Sequence, residues 1–504
     1  MQIKTQNMKD TKDSPIVLIA LFNLDLGVRH ISSFLKTKGY AVYIISFNQI
    51  RYTVEFFDND YFTAPLLKQK ICSEKDLRLL INLLGQLKPK LVGISVTSVT
   101  MRTAQIITSE IKKNLDLTVV WGGVHAIIAP EECIQYADIV CIGEGEFPMW
   151  ELAEKIRNGQ RLTSIKNLWI KNNGELEKNE LRPLIENLDS LPFPDFIEDD
   201  NKFLIDSGKI VEDPSIISAY QKDIYPIMTS RGCIFSCAFC CNSVIKERYN
   251  GKGPYLRRRS VKNVIDELRL VVENKPIGVI RFWDDIFTYD KDWIKEFCSR
   301  YLTKIGKPFA CYAHSRYTDR ETIVELAKSG LVFICVGIQS GSESVNREIF
   351  ARSQFNQDIL DFAELMKELH ITSRYDLISD NPYETELDQD NTVDLLLKLP
   401  HPYRIQIYSL SYFPDTPLTK RALNDRIITT QDLEQYTSKS LNHYHMFLPL
   451  SKNKEELFWN CIKAMAVNNY FPRWLVRFCK ENSLFRTHPS LLLLFSRYYL
   501  WFLK

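Results

Sequence analysis

Three cysteines, Cys233, Cys237 and Cys240, stand at C-x3-C-x2-C spacing directly after a strand-like run and the pair Arg231-Gly232. Soft thiolates on one short loop select an iron–sulfur cluster or zinc. A closed zinc site wants a fourth ligand, and usually a second pair some way downstream. The trio has no matching pair. Three thiolates can hold three corners of a [4Fe–4S] cube and leave one iron open to a ligand that is not protein, which a cluster doing chemistry needs. Cys241 adjoins the trio but breaks the spacing, so it reads as a spare thiol.

The neighbours of the trio are specific. Arg231-Gly232-Cys233, followed by Cys237-Ala238-Phe239-Cys240 with an aromatic before the last cysteine, resembles the signature loop of the radical S-adenosylmethionine (radical SAM) enzymes. The resemblance implies that the open iron chelates the amino and carboxylate groups of S-adenosylmethionine. Reduction of the cluster by an external donor of flavodoxin or ferredoxin type would then cleave the sulfonium to a 5′-deoxyadenosyl radical. It places Phe239 beside S-adenosylmethionine. Phe282-Trp283-Asp284-Asp285-Ile286-Phe287 resembles the family's F-x-D-D-x-F segment, so Asp284 is expected to face substrate or the adenosyl group; a helix-capping pair is the alternative. Gly337-Ile338-Gln339-Ser340-Gly341 is similar to G-I-E-S-G, with Gln339 keeping the length of the acidic residue but not its charge. Gln339, Ser340 and Gly341 are expected next to S-adenosylmethionine.

Two further loops carry the likeness. Asp380-Asn381-Pro382-Tyr383-Glu384-Thr385 resembles G-x-P-x-E-T with Asn381 at the first glycine, and asparagine tolerates a left-handed backbone there. Tyr412-Phe413-Pro414-Asp415-Thr416-Pro417 is similar to P-x-P-G-T-P-L, with Asp415 where glycine is common. Arg257-Arg258-Arg259-Ser260 matches an R-x-R-S lead-in, and reads equally as a solvated basic turn with Ser260 as N-cap. No side chain is assigned as catalytic.

The elements that must position these residues alternate strand and helix. Between 223 and 420, candidate strands at 227–230, 279–283, 309–312, 333–338, 374–378 and 404–410 read as barrel-like α/β; the family implies a partial (β/α)6 barrel, with chemistry at the C-terminal strand ends. Residues 15–158 read the same way, with near-continuous apolar strands at 15–20, 41–45, 91–96, 118–123 and 139–142 and amphipathic helices between them. That pattern argues a parallel, doubly wound, Rossmann-like sheet. Its loops carry Gly93-Ile94-Ser95, Gly122-Gly123-Val124-His125 and Gly143-Glu144-Gly145-Glu146. The ordered set resembles the cobalamin-binding domain found upstream of many radical SAM cores, which puts cobalamin contacts on Gly93, Ser95, Gly122, Gly123, His125, Gly143 and Glu144. The loop Leu24-Asp25-Leu26-Gly27-Val28-Arg29-His30 lacks the histidine of D-x-H-x-x-G, so cobalamin is expected without a protein imidazole on cobalt. His125 is assigned to the corrin periphery or phosphate, with a turn residue as the alternative. A flavodoxin-like fold that has lost its cofactor is the alternative for the whole domain.

Residues 1–14 form a tail, and 159–222 a polar linker with a hairpin turn at Lys171-Asn172-Asn173-Gly174. Within that linker Leu191-Pro192-Phe193-Pro194-Asp195 reads as an extended spacer. Beyond 421 a helical cap is expected. There His443-Tyr444-His445-Met446-Phe447 either lines a substrate pocket or packs as ordinary helix.

At 504 residues and net charge +2, the chain is large enough for several cores, and its electrostatics do not call for nucleic acid. Twelve scattered cysteines without a disulfide framework, and charges interrupting any secretory run before Ile16, fit a reducing cytoplasm. The end of the chain differs. Leu491-Leu492-Leu493-Leu494-Phe495 and Tyr498-Tyr499-Leu500-Trp501-Phe502-Leu503 are apolar and aromatic, flanked by Arg486, Arg497 and Lys504. An interfacial helix on a membrane would look like this, and so would a tail docked into its own chain. Together the motifs identify a member of the cobalamin-binding-domain radical SAM enzymes, a group that includes the class B radical SAM methyltransferases and the BchE-like enzymes of the same architecture. The leading reaction implied is methylation of an unactivated carbon on a natural-product or lipid-like small molecule. Oxidation or cyclisation without methyl transfer is the alternative, and a non-catalytic sensor is a third reading, opposed by the open cluster corner.

Overall fold

The computed structural model describes residues 15–21, 25–47, 72–172, 174–196, 201–211, 224–433 and 454–503. The tail 1–14, Leu24, Asn173 of the hairpin turn and the run His443 to Phe447 lie outside them. The chain divides into two compact units, the first also taking Glu247–Tyr255.

In the first unit, strands β1 (Ile16–Ala20), β2 (Val42–Phe47), β3 (Leu91–Ser95), β4 (Thr118–Gly122) and β5 (Ile139–Cys141) are parallel. Helices α1 (Leu26–Thr37), α2 (Glu74–Leu87), α3 (Met101–Asn114), α4 (Val124–Ile128), α5 (Pro130–Cys133) and α6 (Glu146–Arg157) connect them. Alternate residues of β1 enter two separate cores. Val17 and Ile19 pack with Leu80 and Leu83 of α2 and Ala104 and Ile107 of α3; Ile16 and Leu18 pack with Leu35 of α1 and Met149 and Leu152 of α6. Helices on both faces explain why the strands read as unbroken apolar runs.

The segment predicted as a linker contributes four strands to this sheet. Strands β6 (Leu168–Asn172), β7 (Glu175–Lys178), β8 (Lys202–Asp206) and β9 (Lys209–Val211) extend it at both edges, in the order β7-β6-β5-β4-β3-β1-β2-β8-β9. The hairpin expected around the Lys171–Gly174 turn is β6 paired with β7. Sequence reading did not find β8 and β9, and β9 is only three residues long with no buried position. Asp195 is no spacer either. Its carboxylate takes hydrogen bonds from Ser32 (2.7 Å) and Lys202 (2.9 Å) and pairs with Lys36 (2.8 Å), while Arg29 donates to its carbonyl (2.9 Å).

The second unit holds six parallel strands in sequential order: β10 (Ile224–Ile227), β13 (Val279–Phe282), β14 (Phe309–Ala313), β15 (Leu331–Gln339), β16 (Thr372–Ser379) and β17 (Arg404–Ser409). A short ribbon of β11 (Ser230–Arg231) and β12 (Arg257–Arg258) stands beside them. Helices α7 (Cys241–Arg248), α8 (Val261–Asn274), α9 (Lys291–Lys304), α10 (Arg320–Lys328), α11 (Asn356–Glu368), α12 (Glu386–Lys398) and α13 (Pro417–Asn424) alternate with these strands. This is the partial barrel. Phe282, Phe287, Phe297, Tyr301 and Phe309 meet edge to face beneath β13 and β14. Helices α14 (Lys454–Val467), α15 (Arg473–Glu481), α16 (Ser483–Thr487) and α17 (Pro489–Leu503) form the C-terminal cap.

Candidate active site

The cysteine loop follows β11 and is held from two later elements of its own unit. The Ala238 amide donates to the Phe350 carbonyl (2.8 Å), and the Ala238 carbonyl accepts from the Leu418 amide (2.9 Å). The Phe239 ring meets Phe350 edge on at 5.1 Å. Phe350 closes a single π-helical turn, Val345–Ile349, just beyond β15, the kind of irregularity that often marks functional sites. Arg352, almost fully buried, donates to Cys237 Sγ (3.7 Å), the Gly337 carbonyl (3.0 Å) and Gln354 (2.7 Å). Sequence reading did not single out Arg352, because no motif letter marks a cation that reaches back across 115 residues.

All three thiols are free. Burial pushes Cys233 up to about 12, with Asp285, Cys240 and Cys237 adding to the rise. Burial also raises Cys237, against the pull of Arg352. The hydrogen bond between Cys240 and Cys241 raises the first and lowers the second. The trio is thus close enough for its members to repel one another's negative charge. Such thiols ionise only when a cation takes the charge, which is how metal binding displaces protons. Among the described residues no group of three His, Cys, Asp or Glu is placed to hold a single metal ion, whereas a cluster takes each thiolate on a separate iron. Three free thiols on one braced loop, with a guanidinium on one sulfur, fit a cluster.

The two adjacent aspartates divide their roles. Asp284 is buried and accepts from the Thr229 amide (3.0 Å), the Thr229 hydroxyl (2.7 Å) and the Ser230 hydroxyl. It therefore braces the turn that leads into Arg231-Gly232-Cys233, and is closed off from solvent. These bonds also explain why β10 ends three residues before the sequence suggested: Thr229 gives its N–H to a carboxylate, not to a neighbouring strand. Asp285 is the outward one. It bonds Asn242, lies near the cysteines, and burial raises its carboxyl to about 6. His314, at the end of β14, is fully buried with its ring 4.7 Å from Phe235 of the cysteine loop. Burial, then Arg352 and Arg316, hold it down to about 3, so it is neutral.

Gln339 ends β15 at φ 68°, where the pairing with β16 shifts register. Ser340 is buried and donates to Glu384 (2.6 Å). A Cβ on Gly341 would lie 2.4 Å from the Thr392 Cα, so glycine is what lets α12 come this close. Beyond β16 the left-handed residue is Asp380 (φ 58°), which letter for letter holds the first glycine of G-x-P-x-E-T; Asn381, expected there, is the next position and accepts from the Tyr383 amide at 3.2 Å. Asp415 does take the left-handed backbone (φ 64°) of the glycine it replaces. Ser260 is an N-cap, accepting from Asn263 at 3.1 Å. The basic turn before it is not solvated, since Arg257 and Arg259 are buried and Arg259 pairs with Glu267 at 2.5 Å.

The cap adds residues that the sequence did not announce. Lys463 of α14 is buried and donates to Ser379 (2.5 Å), while Asn460 bonds Ser379 (3.2 Å) and Asp380 (3.3 Å). Burial lowers Lys463, and Glu384 and Asp380 oppose that; burial likewise raises Glu384, against Lys463 and Ser340.

In the first unit the strand order reverses between β1 and β3, and ligands of open α/β sheets lie beyond the strand ends at such a point. Asp25, which caps α1, and Ser95, the last residue of β3, hydrogen-bond there. Gly123 has φ 94°, and a Cβ on it would lie 2.8 Å from the Val96 carbonyl. Ser95, Gly122 and Gly123 are half-exposed at neighbouring strand ends and fit a broad ligand lying across them. The others act from inside. Gly93 lies within β3, where a Cβ would strike Leu18 at 2.9 Å. At Gly143 a Cβ would strike the Tyr249 hydroxyl at 2.2 Å. The Glu144 carboxylate accepts from the Ile185 amide (2.8 Å). His125 is fully buried with Nδ1 bonded to Ser98 (2.9 Å) and Nε2 to Glu132 (3.2 Å), so it is a bracing residue of the β4–α4 turn and makes no contact at the surface of the crevice.

Comparison with known proteins names these two units. Residues 227–396 match the Radical SAM superfamily and residues 18–153 the B12 binding domain. The chain thus joins a radical SAM domain to a B12-binding domain, and the cofactors of that pairing are a [4Fe–4S] cluster, S-adenosylmethionine and cobalamin. It is 29% identical over 361 residues to an uncharacterized methyltransferase of Pyrococcus horikoshii, covering 69% of this chain and 73% of that one. It is 25% identical over 341 residues to the anaerobic magnesium-protoporphyrin IX monomethyl ester cyclase of Rubrivivax gelatinosus, covering 64% of this chain but only 53% of that one. Its fold is similar to the radical S-adenosylmethionine methyltransferase TsrM of Kitasatospora setae, with TM-score 0.61, 17% identity, and 82% and 78% of the two chains covered.

Proposed function

We propose that the protein is a cobalamin-dependent radical SAM methyltransferase acting on an unactivated carbon of a small natural-product or lipid-like molecule. The observation that carries this reading is the braced loop of three free thiols beneath the strand ends of the second unit. When bound, the cluster and S-adenosylmethionine supply one-electron cleavage of a sulfonium bond, and cobalamin supplies a transferable methyl group.

In this reading Cys233, Cys237 and Cys240 hold the cluster, and Arg352 and Phe350 keep its loop in place. Phe239, Gln339 and Asp285 border S-adenosylmethionine. Asp284, Ser340 and Gly341 act through the loops they fix. Ser95, Gly122 and Gly123 meet cobalamin, with no protein imidazole on cobalt, while Gly93, Gly143, Glu144 and His125 support those loops from within. Helices α14 to α17 form a cap that selects the substrate. The electron comes from an external flavodoxin- or ferredoxin-type donor, and the C-terminal segment touches a lipid surface.

Oxidative cyclisation without methyl transfer is the second reading, favoured by the similarity to the cyclase. Supplying S-adenosylmethionine with a deuterated methyl group to extract separates the two: a mass-shifted product supports methyl transfer, and an unshifted product with normal 5′-deoxyadenosine supports cyclisation. Each of Cys233→Ala, Cys237→Ala and Cys240→Ala should abolish 5′-deoxyadenosine formation in anaerobically reconstituted protein. Wild-type yield from any one of them would remove the cluster assignment.

A further inference from the structure

The last helices of the cap display large apolar side chains that no described residue of the second unit covers. Helix α17 docks through Leu492, Ser496 and Leu500, all at most 1% exposed. Its opposite stripe, Leu491, Leu494, Tyr498 and Trp501, recurs every three or four residues and is exposed, with Trp501 at 78% and the adjoining Phe502 at 83%. Such spacing lines one helix face, and no Asp or Glu interrupts it. Helix α15 repeats the design. Leu475, Val476 and Cys479 face inward, while Trp474 and Phe478 stand exposed among Arg473 and Arg477 on the outward side.

We propose that this face of the cap docks on the surface of a bilayer carrying anionic phospholipid headgroups. This rests on the lipid-like substrate reading and names the partner surface it implies. Three observations select a bilayer. Tryptophan and tyrosine mixed with arginine suit the headgroup boundary, where rings take the apolar side and cations the phosphates. Arg473, Arg477 and Arg497 punctuate the two apolar helices; against them stand Glu481 at the end of α15 and the excess of Asp390 and Asp394 over Lys480, so the face keeps a net positive charge that complements an anionic surface. Helix α17 is docked along one stripe on α14 and carries its apolar residues on the other, the two-faced build of a helix lying in a surface; among the described residues no helix is long and apolar enough to span.

The face is tied to the strand ends by one helix. The rings of Phe471 and Tyr499 stack at 4.9 Å, joining the start of α15 to α17, and both helices pack on α14. Helix α14 in turn sends Lys463 and Asn460 to Ser379 and Asp380 at the end of β16. A membrane under α15 and α17 would therefore present an apolar substrate on the cap side of the barrel.

Flotation of the full, cluster-loaded chain with vesicles tests this. Vesicles of equal parts phosphatidylglycerol and phosphatidylcholine should carry the protein at low salt, and pure phosphatidylcholine vesicles at least tenfold less. The change Arg477→Glu, which alters an exposed side chain, should weaken flotation about tenfold or more. Trp474→Ser with Trp501→Ser should do the same, with cluster absorbance and far-ultraviolet circular dichroism kept at wild-type levels. Equal flotation of wild type and both variants would overturn the proposal. So would failure to float on either vesicle, or a stable dimer by light scattering that the Trp474→Ser and Trp501→Ser changes dissolve, since a second copy would then cover the face. None of these outcomes touches the cluster assignment, which the cysteine variants test separately.

Discussion

Arg352 shows how one buried side chain can set the properties of the proposed cluster. Donors to a cluster sulfur stabilise its reduced, more negative state and so raise its reduction potential. Arg352→Gln removes the guanidinium from Cys237 Sγ and should move the midpoint of the reconstituted cluster to more negative potential, with a fall in activity of about tenfold or more. An unchanged midpoint in an EPR-monitored titration would reduce Arg352 to a packing residue. Asp284 makes a different demand. Asp284→Ala strips the acceptor from the Thr229 amide, the Thr229 hydroxyl and the Ser230 hydroxyl inside the protein, and unpaired buried donors of this kind cost about 3 kcal/mol. Chemical denaturation of the apoprotein should show that loss before any cofactor is added. A variant as stable as wild type would mean Asp284 is not the brace of the turn. The motif letters flagged both aspartates alike. Which one turns inward depends on where β13 ends against β10, and that is a property of the sheet.

At the scale of elements, the cap helix α14 and the loop after β16 form one polar junction inside an apolar surround. Lys463, Asn460, Ser379, Asp380 and Glu384 share it, and Lys463 is the cation that faces two carboxylates there. Lys463→Met preserves volume but leaves Asp380 and Glu384 without that charge, and removing one partner of a buried network typically costs a few kcal/mol, roughly 3–5. The expected sign is local: limited proteolysis should cut within the cap at a protease concentration that spares wild type, while the first unit stays intact. Identical cleavage patterns would show that the cap is held by its apolar contacts alone. Sequence reading found α14's neighbours as apolar helices but could not tell that a lysine among them points inward, because lysine is ordinarily a surface residue.

For the whole molecule, the longest lever on pH stability lies in the first unit. Burial would raise the Asp195 carboxyl, but Lys202 and Lys36 outweigh it and hold it near 2, below its ordinary 3.8. The pair is not symmetrical: burial lowers Lys202, which has one carboxylate beside it and repulsion from Arg29 and Lys36. A depressed carboxyl stabilises the fold fully above its unfolded value, and that contribution disappears as pH falls from about 4 through about 2. A shift of this size corresponds to about 2 kcal/mol. Asp195→Asn should therefore lower stability at neutral pH and flatten the acid limb of a stability–pH curve in that window; a parallel, merely displaced curve would assign the acid sensitivity elsewhere. Both sheets, the order of their strands along the chain and the cysteine loop were legible in the amino-acid order, because buried parallel strands are continuous apolar runs and cluster ligands are local in sequence. The edge strands β8 and β9, the pinning of Asp195, the inward turn of Asp284 and His125, and the reach of Arg352 and Lys463 were settled only by the tertiary structure. Each of those depends on a partner far away along the chain, and local pattern carries no information about which distant side chain will be there to satisfy a buried charge or hydrogen bond.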